Sequence, residues 1–261
     1  LNEVLERAAE AGVSRIITIS TTLESCARAI ALADSPPPAR EQSARPLPKI
    51  SASAGIHPLY VPESPDDFLE PLRALAEHPA VVAIGETGLD YHRNQTPPTD
   101  GDARTEWERN RRRQAVFFEH QLQLAESCGL NVVVHQRDAW EDTLRILRPY
   151  AGRLKAVFHC FGGSLEQARE VVALGFFVSF TGIVTFKNAA SVHETAAGLP
   201  AGTFFLETDC PFLAPTPHRG KRCEPAHTRL TAECVARLRG EPLEALCRHT
   251  SDAAEAFFKR R

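Results

Sequence analysis

The 261-residue chain has no methionine, only five lysines and no cysteine pair spaced C-x-x-C. It has no apolar run near the length of a membrane span, which argues against a transmembrane helix. The first residues carry no basic-then-apolar signal, and the expected location is the cytoplasm. An excess of positive charge is also missing. The formal net charge is -3, so any contact with nucleic acid has to be local rather than a broad field. The seven cysteines are odd in number and scattered, which fits free thiols in a reducing compartment better than a disulfide framework. The chain opens on LNEVLERAAEAGV, in which Leu1, Val4, Leu5 and Ala8 share one helical face and Gly12 falls where a C-terminal cap belongs. With a helix already under way and no initiator methionine, the expectation is that further sequence precedes Leu1.

What is present is an ordinary globular composition, 43% hydrophobic and 24% charged. Seven short apolar runs recur: RIITIST (15–21), KISASAGIHP (49–58), VVAIGETGLD (81–90), NVVVHQRD (131–138), KAVFHCFGG (155–163), FFVSFTGIV (176–184) and TFFLETDCP (203–211). They are continuous rather than alternating, as strands buried on both faces of a parallel sheet are. Helical periodicity fills the segments between them, as in 24–33, 67–78, 112–129, 140–152 and 165–175. The Pro-rich stretches 35–48 and 93–107 read as loops. Strand and helix in alternation predict an α/β fold, and seven strands after an opening helix predict a (β/α)8 TIM barrel whose first strand lies before Leu1. One domain spanning 1–261 is expected.

Polar residues stand where these runs stop. Glu86 ends the third run, His135 the fourth, His159 the fifth, and Glu207 and Asp209 the seventh. In a barrel, strand ends converge on the active-site face. Imidazoles and carboxylates gathered there have the composition of a divalent-metal site, and a cation would explain how Glu86 tolerates its apolar surroundings. His57, in GIHP, also lies at a strand end. His92 fits a surface loop as well as a site, and Arg111 to Arg113 read as a solvated face. His218, Arg219, Lys221 and Arg222 sit on a Gly/Pro-bounded loop soon after Asp209, suited to a phosphate group.

The segments GETGLDYHR, VVVHQRDAWEDTLRIL, FHCFGG and LETDCPFLAPTPHRGKRCEP, in that order, resemble the TatD family of metal-dependent nucleases. The resemblance runs nearly the whole length. It implies a barrel of the metal-dependent hydrolase type, two divalent ions per chain (Mg2+ for activity, with Zn2+ or Mn2+ as alternatives) and phosphodiester hydrolysis. The implied substrate is the end of a single-stranded DNA or RNA, and a monomer is expected. By the same resemblance, Glu86 bridges the two metals, His135 and His159 hold one, and Asp209 holds the other and orients the attacking water. His57 and Tyr91 are expected to contact a base or sugar, and His218, Arg219, Lys221 and Arg222 the phosphates.

The chain departs from the family pattern in two places. Family members carry a His-x-His pair on a first strand, and no such pair occurs here: either that strand precedes Leu1 or the site is half-built. Cys223 stands where the family commonly has asparagine before Glu-Pro. Related barrel hydrolases that bridge metals with a carbamylated lysine fit less well, because none of the five lysines ends a strand in the ligand set. A non-catalytic binder on a degenerate barrel, or a hydrolase of another ester such as an aminoacyl ester of tRNA, are the alternatives.

Overall fold

The protein is described here from a computed structural model, for residues 1–38, 45–92 and 98–260. The chain runs α1 (Asn2–Glu10), β1 (Arg15–Thr18), α2 (Leu23–Asp34), β2 (Lys49–Ala54), α3 (Leu69–Ala76), β3 (Val81–Asp90), α4 (Gly101–Cys128), β4 (Asn131–Arg137) and α5 (Trp140–Leu147). It continues with β5 (Ala156–Phe158), α6 (Leu165–Ala173), β6 (Phe177–Phe180), α7 (Ala190–Gly198), β7 (Phe204–Leu206), α8 (Thr228–Arg239) and α9 (Leu243–Phe257). Sheet order follows chain order, and each strand is followed by a helix. This is the α/β topology of the (β/α)8 TIM-barrel class, with seven of its strands in this chain. No helix among the described residues is long and apolar enough to cross a membrane. Parts of both expected loops, residues 39–44 and 93–97, lie outside the described residues.

Two compact units can be distinguished. One comprises Ile17–Asp34, Ser51–Ala156 and Arg260–Arg261; the other comprises Leu1–Ile16, Ser35–Ile50 and Val157–Lys259. In the first, which contains β3 and β4, every residue of β3 is buried, as a strand covered on both faces requires. Parallel pairing runs Ala83↔Asn131 and Ile84↔Val132, then resumes at Thr87↔Val134 and Gly88↔His135. Three steps along β3 therefore match two along β4, which makes a β-bulge at Gly85–Glu86. A bulge re-aims the side chain it carries. Glu86 thus does not end its strand, as the sequence suggested. It sits inside β3, which continues to Asp90. Glycine is required at this bulge. A Cβ on Gly85 would approach the Val133 carbonyl oxygen to 2.6 Å, and one on Gly88 would run into the His135 carbonyl.

Helix α4 packs on β3 and is longer than periodicity predicted, beginning at Gly101 rather than Arg112. Its first turns have few apolar residues to show a period. They are set instead by the Asp100 carboxylate, which accepts the Ala103 N–H at 3.0 Å, and by Arg104–Glu108 and Arg109–Glu106 pairs. The three arginines are not simply a solvated face. Arg111 lies 3.7 Å from the centre of the Tyr91 ring and 4.4 Å from that of Trp107, and Arg113 pairs with Asp66 at 2.9 Å. Further along, Phe117 stacks on Phe68 at 3.9 Å, while Phe118 and Leu122 are fully buried.

In the second unit the pairs Val157↔Phe177, Val178↔Phe204 and Phe180↔Leu206 align β5, β6 and β7 in parallel. The core is aromatic: Phe180 meets Phe204 edge-on at 5.5 Å, and Phe257 from α9 contacts Phe177 and Phe205. A capping box between Ser164 and Gln167 starts α6. Arg7 of α1 makes a two-point pair with Glu224, at 2.7 and 2.8 Å, and so ties α1 to the loop before α8.

Candidate metal centre

In the first unit the bulge turns Glu86 toward two imidazoles. Glu86 Oε1 lies 2.8 Å from His135 Nδ1 and 3.4 Å from His57 Nε2, and the two rings are edge-on at 4.3 Å. Glu86 and His57 are buried, at 9% and 7% exposure. The other His135 nitrogen, Nε2, is 3.0 Å from Asp90 Oδ2. His135 therefore stands between two carboxylates from one strand. Burial by itself would lower the His135 pKa, but its hydrogen bonds to Asp90 and Glu86 and their charges prevail and raise it. Burial likewise works to raise the Asp90 carboxyl. The hydrogen bonds from His135 and the His92 N–H, with the charges of His135 and Arg137, hold it below the ordinary value.

Helix α4 holds this cluster in place through two buried glutamines spaced two turns apart. Gln121 Oε1 accepts the Ile56 N–H at 2.8 Å and its amide donates to the Ile56 carbonyl at 3.1 Å, immediately before His57. Gln114 does the same for Asp90, at 2.9 and 3.2 Å. The His57 backbone N–H donates to the Thr21 carbonyl at 3.0 Å, and the ring Nδ1 accepts from the Leu59 N–H. Asp90, Gln114 and Gln121 escaped the sequence reading. The only available signal was that polar residues at i and i+7 interrupt the apolar face of α4.

The second unit repeats the motif of one imidazole between two carboxylates. His159 follows β5, with Nδ1 2.8 Å from Glu207 Oε2 and Nε2 3.6 Å from Asp209 Oδ1. Burial pushes the Glu207 carboxyl up, but the His159 charge and hydrogen bonds from His159, the Ser179 hydroxyl (2.6 Å) and the Cys160 N–H (2.7 Å) bring it below the ordinary value. Glu207 acts here as the group that orients His159, leaving Nε2 toward Asp209.

The first of these donor sets fits a divalent cation, and His159 with Asp209 offers a closely spaced pair. His57, Glu86 and His135 offer ligand atoms that all lie within 4.8 Å of one another. Metal–nitrogen and metal–oxygen bonds of about 2.0–2.2 Å keep two ligands of one ion within about 4.4 Å, and the 3.4 Å and 3.6 Å separations at Glu86–His57 and Asp209–His159 satisfy this.

Of the sequence-derived candidates, Glu86 and His135 are thus brought together with His57, which was read there as a substrate contact. His159 and Asp209 are brought together in the other unit. Tyr91 is turned elsewhere. Only 3% exposed, it directs its hydroxyl to Asp142 at 3.1 Å, and burial with the Asp142 charge pushes its pKa up to about 12. His92 pairs with Asp138 at 2.7 Å. On the basic loop, Arg219, Lys221 and Arg222 are exposed, Arg219 lies over the Phe186 ring at 4.3 Å, and His218 stacks on His227 at 4.6 Å.

Known proteins resemble this chain along nearly its whole length. The profile of the family described as TatD related DNase matches residues 1–259. An uncharacterized metal-dependent hydrolase of Bacillus subtilis is 35% identical over 260 residues, 99% of this chain and 92% of that protein. A protein of Erwinia tasmaniensis named 3'-5' ssDNA/RNA exonuclease TatD is 34% identical, over 98% of this chain and 93% of its own length. The crystal structure of a TatD homolog from Escherichia coli superposes with a TM-score of 0.81 at 30% identity, covering 98% of this chain and 90% of that one.

Proposed function

The chain belongs to the TatD related DNase family of metal-dependent hydrolases, and we propose that it cleaves phosphodiester bonds at the ends of single-stranded DNA or RNA. The observation that carries this reading is the His57–Glu86–His135 group, three ligand types whose donor atoms lie within 4.8 Å of one another. The exposed Arg219, Lys221 and Arg222 support it as a grip for phosphate, and the name of the Erwinia relative supports the choice of substrate. We assign two divalent ions, Mg2+ for activity with Zn2+ or Mn2+ as alternatives. Glu86, His135 and His57 would be ligands in one unit, and His159 and Asp209 in the other. Such ions, when bound, lower the pKa of coordinated water toward about 7 and offset charge on phosphate oxygens.

The rest falls to the chain's own residues. Asp90 and Glu207 fix the ring orientations of His135 and His159, as outer carboxylates do at metal sites. Asp209, whose carboxylate is part-exposed, accepts the proton of the attacking water. Arg219 and Lys221 hold the scissile or a neighbouring phosphate, with His218 and Arg222 beside them. The same reading takes the chain as one domain and a monomer. Each compact unit draws on segments that alternate along the sequence, as a single folding domain would.

The test is hydrolysis of a 5'-labelled single-stranded oligonucleotide in Mg2+, with and without chelator, by the native chain and by Glu86→Gln. Shortening from the 3' end that needs metal and is lost in the variant is the expected result. A metal-loaded native protein that binds but never shortens single-stranded DNA or RNA would overturn the assignment.

A further inference from the structure

Arg111 differs from the arginines around it. On α4, Arg104 pairs with Glu108, Arg109 with Glu106 and Arg113 with Asp66, and on α5 Arg145 pairs with Asp142. Among the described residues Arg111 forms no hydrogen bond or ion pair, and its Nε is buried without a partner. Aromatic rings hold it instead: its guanidinium carbon lies 3.7 Å from the centre of the Tyr91 ring and 4.4 Å from that of Trp107. Tyr91 is a fixed platform, 3% exposed, with its hydroxyl on Asp142 at 3.1 Å and its N–H on the Arg137 carbonyl at 2.9 Å. Stacking occupies the face of a guanidinium and leaves its N–H edge, the edge that meets a phosphate in two parallel hydrogen bonds. A permanently charged side chain kept part-buried with no ion-pair partner among the described residues is matched by an anion from outside the chain. Its position narrows which anion. Tyr91 directly follows Asp90, and Asp90 lies 3.0 Å from His135 of the candidate metal centre.

We infer that Arg111, stacked on Tyr91 and Trp107, binds a backbone phosphate of the single-stranded substrate, away from the bond that is cut. The inference rests on the nucleic-acid reading given above. The two rings restrict the guanidinium before the strand arrives, which reduces the ordering cost of binding. A phosphate contact carries no base information, so the site adds affinity without sequence preference. Packing of Tyr91 and Trp107 alone would not require the charge.

The test is fluorescence anisotropy of a 5'-labelled single-stranded phosphorothioate oligonucleotide, which resists cleavage, on the full chain in Mg2+ over a range of KCl concentrations. Arg111→Gln should weaken binding about 10–100-fold at low salt. It should also make the slope of log affinity against log salt shallower by about 0.7, the loss of one phosphate contact on a single strand. The weakening should be alike for oligonucleotides of different sequence. Trp107→Leu keeps the charge, so it should weaken binding with the slope unchanged. If native chain binds and Arg111→Gln keeps the native slope, the site is overturned and the nuclease reading stands. A lowered melting temperature in that variant would then assign Arg111 to packing. Metal-loaded native chain that binds no single-stranded oligonucleotide would remove the nuclease reading and this site with it.

Discussion

Replacing Gln121 by leucine tests whether α4 builds the candidate metal centre or merely covers it. The side chain is fully buried, and it satisfies both backbone groups of Ile56, itself buried, at 2.8 and 3.1 Å. Leucine restores most of the volume but neither hydrogen bond. The Ile56 N–H and C=O are then left without partners in an apolar setting, at about 1–3 kcal/mol each. The expected loss is about 2–6 kcal/mol, a large share of the total for an ordinary domain at about 5–15 kcal/mol. Urea unfolding of the metal-free protein measures it. Because Ile56 leads directly into His57, Zn2+ affinity measured by competition with a chelating dye should weaken in the same variant under conditions where it remains folded. Gln114→Leu, which orphans Asp90 rather than Ile56, should behave alike. A loss below about 1 kcal/mol with unchanged Zn2+ affinity would refute the reasoning, since it would mean that water or a shifted backbone meets those groups at no cost.

Asp90→Asn should weaken Zn2+ binding about 10–100-fold while leaving the protein folded, because the outer partner of His135 becomes neutral; isothermal titration calorimetry measures the ratio. In the metal-free protein the raised His135 pKa contributes stability that is complete below its ordinary value of 6.5 and is lost as pH rises through the folded value. The lowered Asp90 pKa contributes stability that is present above 3.8 and is lost as pH falls through the folded value, so denaturation midpoints should be highest between these limits. Zn2+ must displace the His135 proton, so its apparent affinity should rise with pH until His135 is neutral and protons should be released on binding, as titrations in buffers of different ionisation enthalpy will reveal. Gly88→Ala forces a Cβ against the His135 carbonyl at a φ of 139°, and a melting point lowered by less than about 6 °C would contradict the close packing of β3 on β4.

The seven strands were legible because each is short, apolar and bounded by helix or turn signals, and all seven runs contain a strand of the fold. Their ends were less so. FFVSFTGIV reads as one run, yet β6 stops at Phe180 and a single-turn helix takes Gly182–Thr185. Residue type alone brought Glu86, His135, His159 and Asp209 into view, since ionisable groups beside apolar strands need a reason to be there. Periodicity could not show why Glu86 is tolerated. A bulge shifts register without changing composition, and Gly85 and Gly88 look like ordinary turn formers until the approach of β4 is measured.

Nor could it show that each histidine stands between two carboxylates, because Glu86 and Asp90 are four residues apart and Glu207 and Asp209 two. That repeated arrangement bears on function more than any single residue does. One carboxylate on each ring is enough to orient it, as Asp90 and Glu207 do. The second places a negative ligand-type oxygen at the ring's other nitrogen, where it suits a cation shared with that nitrogen. Two imidazoles carrying the same surplus favour the proposed role, charge neutralisation by a cation, over core packing alone.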